Sequence, residues 1–376
     1  MNTEKKRHVL LIYRKMIPSI RLCGHCQLEW LAEQGKLEYR AIQEMELKAA
    51  DLKWAEIVLL GRSDDWYEYQ VAKWIHDSGK YLIYMIDDDL LNIPSEISSA
   101  AYYGLAEIQN NIRGMIALSN AILSPSPVLL EKYATDGHKA IQIDEPAIDP
   151  VEYKPHDPSK PIKIGFAGSI DRACDLDRIM KDALIQIKRK FGDRVEFWFF
   201  GAIPIFADEL DAKCIPYCDS YEEYRWTLNS LEWDIGLAPM PDTPFHKCKH
   251  YNKFVEYAAA GIAGVYSKTE PYTRLESNNG LYFVDNQEWY KRLMNILADR
   301  ALLEEMRKCA NEFVLSRFSI KQTAEQLWKK LDEIHISAIM KDNRIPLSLF
   351  RFCEIWKRCC RKVQMFFSKR VWRISK

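Results

Sequence analysis

Residues 233–267 read WDIGLAPMPDTPFHKCKHYNKFVEYAAAGIAGVYS, and the order of residue types in this stretch decides the fold. Residues 234–238 form a short apolar run closed by Pro239, as in a buried strand. Residues 254–260 form a compact helical run ended by Gly261, a residue suited to a left-handed helix cap. A polar loop separates them. Lys249, Lys253 and Glu256 recur at i, i+4 and i+7, so on a helix extended back over His250 they share one face near its N-terminus, where unbonded N–H groups and the backbone dipole favour anions. Two ammonium groups there suit a diphosphate, and a carboxylate one turn further suits paired sugar hydroxyls. The same spacing also describes a plain surface helix whose Lys253/Glu256 pair is worth roughly 0.2–0.5 kcal/mol.

Outward from this stretch, short apolar runs alternate with helical patterns. Strands are expected at 8–13, 38–42, 56–61, 81–86, 121–124 and 140–143, with helices at 67–78 and 100–115 among them. After a proline-rich, polar linker at 146–161 the pattern restarts. Strands are expected at 163–167, 195–201, 234–238, 264–267 and 281–284, and helices at 175–191, 221–230, 253–260, 288–299, 301–317 and 320–335. Strict alternation with nearly continuous apolar strands makes this an α/β chain with two Rossmann-like, doubly wound parallel domains, 1–150 and 151–335, followed by a tail at 336–376.

The length of 376 residues fits two cores, and a cleft between domains is the default ligand site. With 53 basic and 53 acidic residues the net charge is zero, which argues against nucleic acid as a partner. The apolar run at 9–13 is too short for a signal peptide and no stretch approaches a membrane span, so the catalytic body is expected in the cytoplasm. Ten irregularly spaced cysteines make no disulfide framework. Cys23-Gly24-His25-Cys26 has the spacing of a redox dithiol. However, nine residues separate Cys23 from Tyr13 at the end of the first strand, and no second Cys/His pair completes a zinc site.

In open α/β sheets ligands sit beyond the carboxyl ends of strands, so residues that follow strands are the candidates. After 163–167 come Gly168 and Ser169, whose backbone can approach a phosphate, and then Arg172. After 234–238 comes the loop from Pro239 and Met240 through His246 to Lys249. After 56–61 come Arg62, Ser63 and Asp64, and after 81–86 come Asp87, Asp88 and Asp89. The three aspartates admit three readings: ligands of a divalent cation, catalytic contacts to acceptor hydroxyls, or a helix cap with solvated neighbours. The second is favoured, because the lysines and Arg172 already compensate phosphate charge. No metal and no cofactor is then expected.

IKIGFAGS at 162–169, WDIGLAPMPDTPF at 233–245, KFVEYAAAGIAGVYS at 253–267 and YMIDDDLLNIP at 84–94 together resemble bacterial glycosyltransferases of the two-Rossmann GT-B type, close to the GT4 group. The resemblance covers about 8–335. It implies an acceptor-side first domain, a donor-side second domain and a retaining hexosyl transfer. The group's Glu-x7-Glu signature places its ribose-binding glutamate at Glu256. Its first position is Cys248, so the carboxylate that touches the donor sugar is missing. The resemblance then gives the diphosphate to Arg172, Lys249 and Lys253, with Gly168, Ser169, Pro239, Met240 and His246 around the donor. Asp87, Asp88 and Asp89 stand where the group often has an acceptor-side histidine.

From Leu349 the apolar residues Leu349, Phe352, Trp356, Cys359, Val363 and Phe366 recur at three- and four-residue steps, while Arg351, Arg358, Arg361 and Lys362 take other faces. Residues 341–376 hold eleven Lys and Arg against Asp342 and Glu354, a net of +9. Such a basic amphipathic helix suits an anionic membrane surface better than nucleic acid; a tail docked on the other domain is the remaining reading. The expectation is a glycosyltransferase at the inner face of the plasma membrane. It would move a sugar from a nucleotide diphosphate sugar to a cell-surface glycan or lipid-linked saccharide, retaining configuration and needing no metal. The alternatives are a metal-dependent transferase using the three aspartates, and a non-catalytic membrane-associated interaction protein.

Overall fold

Two six-stranded sheets carry the structure, a computed structural model that describes residues 6–135, 137–275, 280–336 and 345–374, with side chains as far as Lys362. The chain divides into one unit of Met1–Ile143 with Ala324–Lys376 and a second of Asp144–Thr323. In the first unit, β1 (Arg7–Tyr13), β2 (Leu37–Gln43), β3 (Ile57–Gly61), β4 (Tyr81–Met85), β5 (Ala121–Ser124) and β6 (Lys139–Gln142) lie in the order β2-β1-β3-β4-β5-β6, all parallel. In the second, β7 (Ile162–Ala167), β8 (Val195–Phe200), β9 (Lys213–Ile215), β10 (Ile235–Ala238), β11 (Ala263–Ser267) and β12 (Tyr282–Val284) lie in the order β12-β11-β10-β7-β8-β9, again parallel. Strands β3, β5, β10 and β11 are buried along their whole length, which is why they read as unbroken apolar runs.

Strand β9 gives no readable pattern, because it is three residues at a sheet edge with two of them exposed. The expected helix at 100–115 is two, Ala100–Tyr103 and Ala106–Leu118, with Gly104 and Leu105 between them. That at 175–191 divides likewise into Ala173–Ile179 and Lys181–Phe191. The helix Ile320–Asp332 buries Ala324, Leu327 and Leu331 in the first core, with Ile334 beyond it. From Ala324 onward the chain therefore belongs with the first unit rather than grouping with 151–335.

In the second sheet the chain steps outward from β7 to β9, then returns to lay β10 on the other side of β7. Loops leaving β7 and β10 thus diverge, which makes a topological switch point. The ladder between these two strands is short, pairing Ile235 with Ile164 and Gly236 with Gly165. Beyond it the Tyr257 hydroxyl takes over, accepting from the Ala167 N–H at 3.2 Å and donating to the Leu237 carbonyl at 2.9 Å. Burial pushes its pKa up, so it keeps the proton it donates. Gly236 makes the room: a Cβ there would lie 2.6 Å from the Tyr257 ring.

The tail forms a helix, Leu347–Ile374. Residues 337–344 and the side chains of Val363, Phe366 and their successors lie outside the described residues. The expected aromatic side of this helix is exposed, but basic residues expected around it turn toward carboxylates of the first unit. Arg358 bonds Glu44 at 2.9 Å and also Asp65; Arg361 bonds Glu107 at 3.2 Å and also Glu354; Lys357 bonds Glu107; and Arg351 donates to the Leu47 carbonyl. These cations are drawn inward because the first unit presents carboxylates there. Among the described residues no helix is long and apolar enough to cross a membrane.

Gly236→Ala and Tyr257→Phe are each expected to destabilise the second unit by about 1–3 kcal/mol, the first by overpacking and the second by orphaning buried backbone groups. Urea melts followed by tryptophan fluorescence would measure this; unchanged midpoints in both would show that the hydroxyl link carries no load.

Candidate functional site

The loops that leave β7 and β10 form the candidate site, and each is pinned at several points. Gly168 donates its N–H to the Phe200 carbonyl at 3.0 Å. Gly201, at φ +82°, lies so close that a Cβ would stand 2.2 Å from the Gly168 carbonyl oxygen. Arg172 donates to the Pro239 carbonyl at 2.7 Å and so ties one loop to the other. Met240 is held by Ser267, which accepts its N–H at 2.8 Å, and by Asn286, which donates to its carbonyl at 3.1 Å. Thr243 caps the short helix Pro244–Lys247 and contacts the His246 ring at 2.7 Å. Arg274 donates to the Lys247 carbonyl at 2.8 Å.

Two cation–carboxylate groupings result. Arg172 lies 3.1 Å from Asp175, a buried carboxylate that also meets Arg178 at 2.9 Å and has His246 at 3.9 Å. Lys253 bonds Glu256 at 2.6 Å; Tyr224 donates to the same carboxylate oxygen at 2.8 Å, and Lys253 reaches the Tyr224 hydroxyl at 3.3 Å. Tyr224 packs at a tilt against Phe200, the last residue of β8, with ring centroids 5.2 Å apart. Burial, and then Glu256, raise its pKa well above the ordinary tyrosine value, so it stays a donor.

The expected shared face of three residues is not formed. The helix spans Asn252–Ala259, and Tyr251 before it is non-helical, so it does not extend back over His250. Lys249 lies in the turn instead, its ammonium 4.6 Å over the Phe245 ring. Gly261 does adopt φ +69°. Its N–H bonds Ala258 at 3.0 Å and that of Ile262 bonds Tyr257 at 2.9 Å, the pair that closes a Schellman cap.

The three aspartates divide two and one rather than forming a single cluster. Asp87 and Asp88 face Arg62 at 2.7 and 3.5 Å. Asp89 is buried against Lys132 at 2.6 Å, the Tyr133 hydroxyl, and Asn92 at 3.0 Å. Among the described residues no three His, Cys, Asp or Glu side chains group to hold a metal ion.

Charge distinguishes the two switch points. Beyond β1 and β3 in the first unit, Arg14 meets Asp64, Asp65 and Glu68 at 2.5, 2.9 and 3.4 Å, and Arg62 meets the two aspartates. Carboxylates outnumber cations there, and burial with Asp65 close by pushes the Glu68 pKa up. Beyond β7 and β10, Arg172 and Arg178 share Asp175, Lys247 faces Asp242, Lys253 faces Glu256 and Lys249 lies over the Phe245 ring, so cations outnumber the carboxylates they face. An anionic ligand is therefore favoured in the second unit.

Three partners escaped sequence reading. Tyr224 and Tyr257 act through the folded geometry and leave no local signal. Asp175 stands three residues after Arg172, a spacing that marks an ion pair once a helix is assigned. A cavity of about 650 Å³, lined by His156, Lys163, Asp234 and Arg307 among others, lies at the amino ends of β7 and β10, away from these loops.

Two parallel sheets in these strand orders, with loops gathered at a switch point, make a GT-B-type fold. Solved structures share it at low sequence identity. A glycosyltransferase from Rickettsia africae matches with a TM-score of 0.58 and 14% identity over 88% of this chain and 100% of its own. Anabaena HepE, solved with UDP and glucose, matches at 0.55 and 12%, covering 87% and 100%. A UDP-GlcNAc 2-epimerase from Neisseria meningitidis, solved with UDP-GlcNAc, matches at 0.50 and 12%, covering 87% and 100%. No protein-family model and no curated protein matches the sequence.

His250 is buried beside the site, with Nδ1 2.6 Å from the Asn252 side-chain oxygen, and burial lowers its pKa from 6.5 to about 4. A depressed histidine pKa adds stability that is fully present above pH 6.5 and is lost as pH falls toward 4. Histidine-detected NMR is expected to show this ring still neutral at about pH 5; titration near 6.5 would contradict its burial.

Proposed function

We propose that the chain is a glycosyltransferase whose second unit binds a nucleotide diphosphate sugar. The acceptor is a cell-surface glycan or lipid-linked saccharide, reached from the cytoplasmic face of the plasma membrane. The observation that carries this reading is the cationic pair of loops at the β7/β10 switch point, in a fold shared with proteins solved with UDP and glucose or with UDP-GlcNAc.

Glu256 spends Oε2 on Lys253 and Tyr224, which leaves Oε1 to accept the ribose hydroxyls in a fixed orientation. Lys253 and Arg172 each already face one carboxylate, so a diphosphate adds a second anionic partner to cations that are held in place. Lys249 and the backbone N–H groups that open the helix at Asn252 add to that field. Leaving-group charge is then stabilised by fixed cations and dipoles, so the transfer needs no metal. Cys248 is buried with its thiol 3.3 Å from the Pro244 carbonyl and supplies no carboxylate, so the donor sugar is gripped by other groups than in the resembled family. Retention of configuration follows from that resemblance.

The test is turnover of a nucleotide-sugar panel with and without saccharide acceptors. Nucleoside diphosphate release that requires an acceptor is expected. Lys253→Ala and Glu256→Ala should each lower kcat/KM at least about tenfold, roughly 1.4 kcal/mol of transition-state stabilisation. Full turnover in both variants would contradict the site. Interconversion of the donor sugar without acceptor would replace transfer by epimerisation.

A further inference from the structure

The helix Leu347–Ile374 turns its charges inward and its apolar side outward. Glu354 is fully buried and Arg361 nearly so, whereas Leu349, Phe352, Ile355 and Trp356 are 58%, 71%, 55% and 69% exposed. Steps of three and four residues place these four on one strip. Water alone would favour the reverse arrangement.

Ionic contacts hold the helix this way round. Glu354 accepts from the Tyr67 N–H at 3.3 Å and bonds Arg358 and Arg361. Arg358 continues to Glu44 and Asp65, and Arg361 and Lys357 to Glu107. Glu44 and Asp65 are themselves buried. Rolling the apolar strip inward would take Glu354 from the Tyr67 N–H and leave the buried carboxylates of Glu44 and Asp65 with Arg14 alone, which costs more than a surface ion pair contributes. On the same inward side, the Phe350 ring packs edge-on against Trp66 with centroids 5.7 Å apart. The strip is thus held open for a partner from outside the described fold.

Charge selects that partner. The helix carries eight Lys and Arg and one acid, Glu354, which is already engaged. Two copies laid strip to strip would bring together the basic residues that follow the paired ones, Lys362 and in sequence Lys369, Arg370 and Arg373, like charge beside like charge. Lys362 is exposed next to the strip, and the sequence onward adds Phe366, Phe367 and Trp372 among Lys369, Arg370 and Arg373. The partner surface must be apolar and anionic together.

We propose that Leu349, Phe352, Ile355 and Trp356 insert into the interface of an anionic lipid bilayer. The helix lies along the membrane and stays fastened to the first unit by the ion pairs on its opposite side. The purpose of this contact rests on the lipid-side acceptor reading above; its geometry does not.

Flotation of the full chain with phosphatidylcholine vesicles, with and without phosphatidylglycerol, tests this. Binding that requires phosphatidylglycerol and weakens with salt is expected. Phe352→Ala with Trp356→Ala should lower partitioning roughly a hundredfold or more, since each buried side chain of this size contributes about tenfold or more. Leu349→Ser with Ile355→Ser should do the same. All four positions are exposed, so the variants should keep wild-type circular dichroism and the wild-type thermal shift with nucleoside diphosphates. That shift reports the donor site and separates its failure from failure of lipid binding. Equal vesicle binding by wild type and both variants would overturn the proposal. So would a lipid-free dimer in analytical ultracentrifugation that either variant disperses, which would assign the strip to a second copy.

Discussion

One hydroxyl sets the geometry on which the candidate site depends. Where the hydrogen-bond ladder between β7 and β10 ends at Gly165 and Gly236, Tyr257 inserts its oxygen between the Ala167 N–H and the Leu237 carbonyl. Linking the strands through a side chain parts them at their carboxyl ends without leaving either backbone group unpaired. The loops at Gly168 and Pro239 start from this opening, and Arg172 then bridges them. Gly236 has no side chain because the Tyr257 ring occupies that space.

Electrostatics divides the labour between the two units. In the first, cations at the strand ends are committed to a larger number of carboxylates, and more cations arrive from the C-terminal helix to join the same acidic groups. In the second, Lys253 and Arg172 each meet a carboxylate that another group also steadies, Tyr224 for Glu256 and Arg178 for Asp175. Such pairs hold the cations in place at modest exposure, so less side-chain entropy is lost when a ligand arrives.

Much of the fold was legible because parallel strands buried on both faces leave apolar runs, and helices between them leave three-to-four-residue periodicity. The stretch 233–267 gave strand, loop, helix and cap in order, down to the left-handed Gly261. What failed had local causes. Lys249 was placed on a helix because spacing alone does not show that Tyr251 breaks it. The three aspartates looked like one cluster because sequence adjacency hides that Arg62 and Lys132 pull them apart. The tail's amphipathic period was readable, but not its orientation, since the carboxylates that turn it, Glu44, Asp65 and Glu107, are distant in sequence. Tyr224 and Tyr257, the residues that orient the site, carry no motif.

The central claim is that the second unit holds the diphosphate of a nucleotide donor on the loops beyond β7 and β10. Hydrogen–deuterium exchange with and without nucleoside diphosphates addresses it most directly. Slowed exchange is predicted at residues 168–172 and 239–256, with the strands of the first unit unchanged. Slowing confined to residues 14–21, 62–68 and 87–92 would place the anion in the first unit and contradict the account.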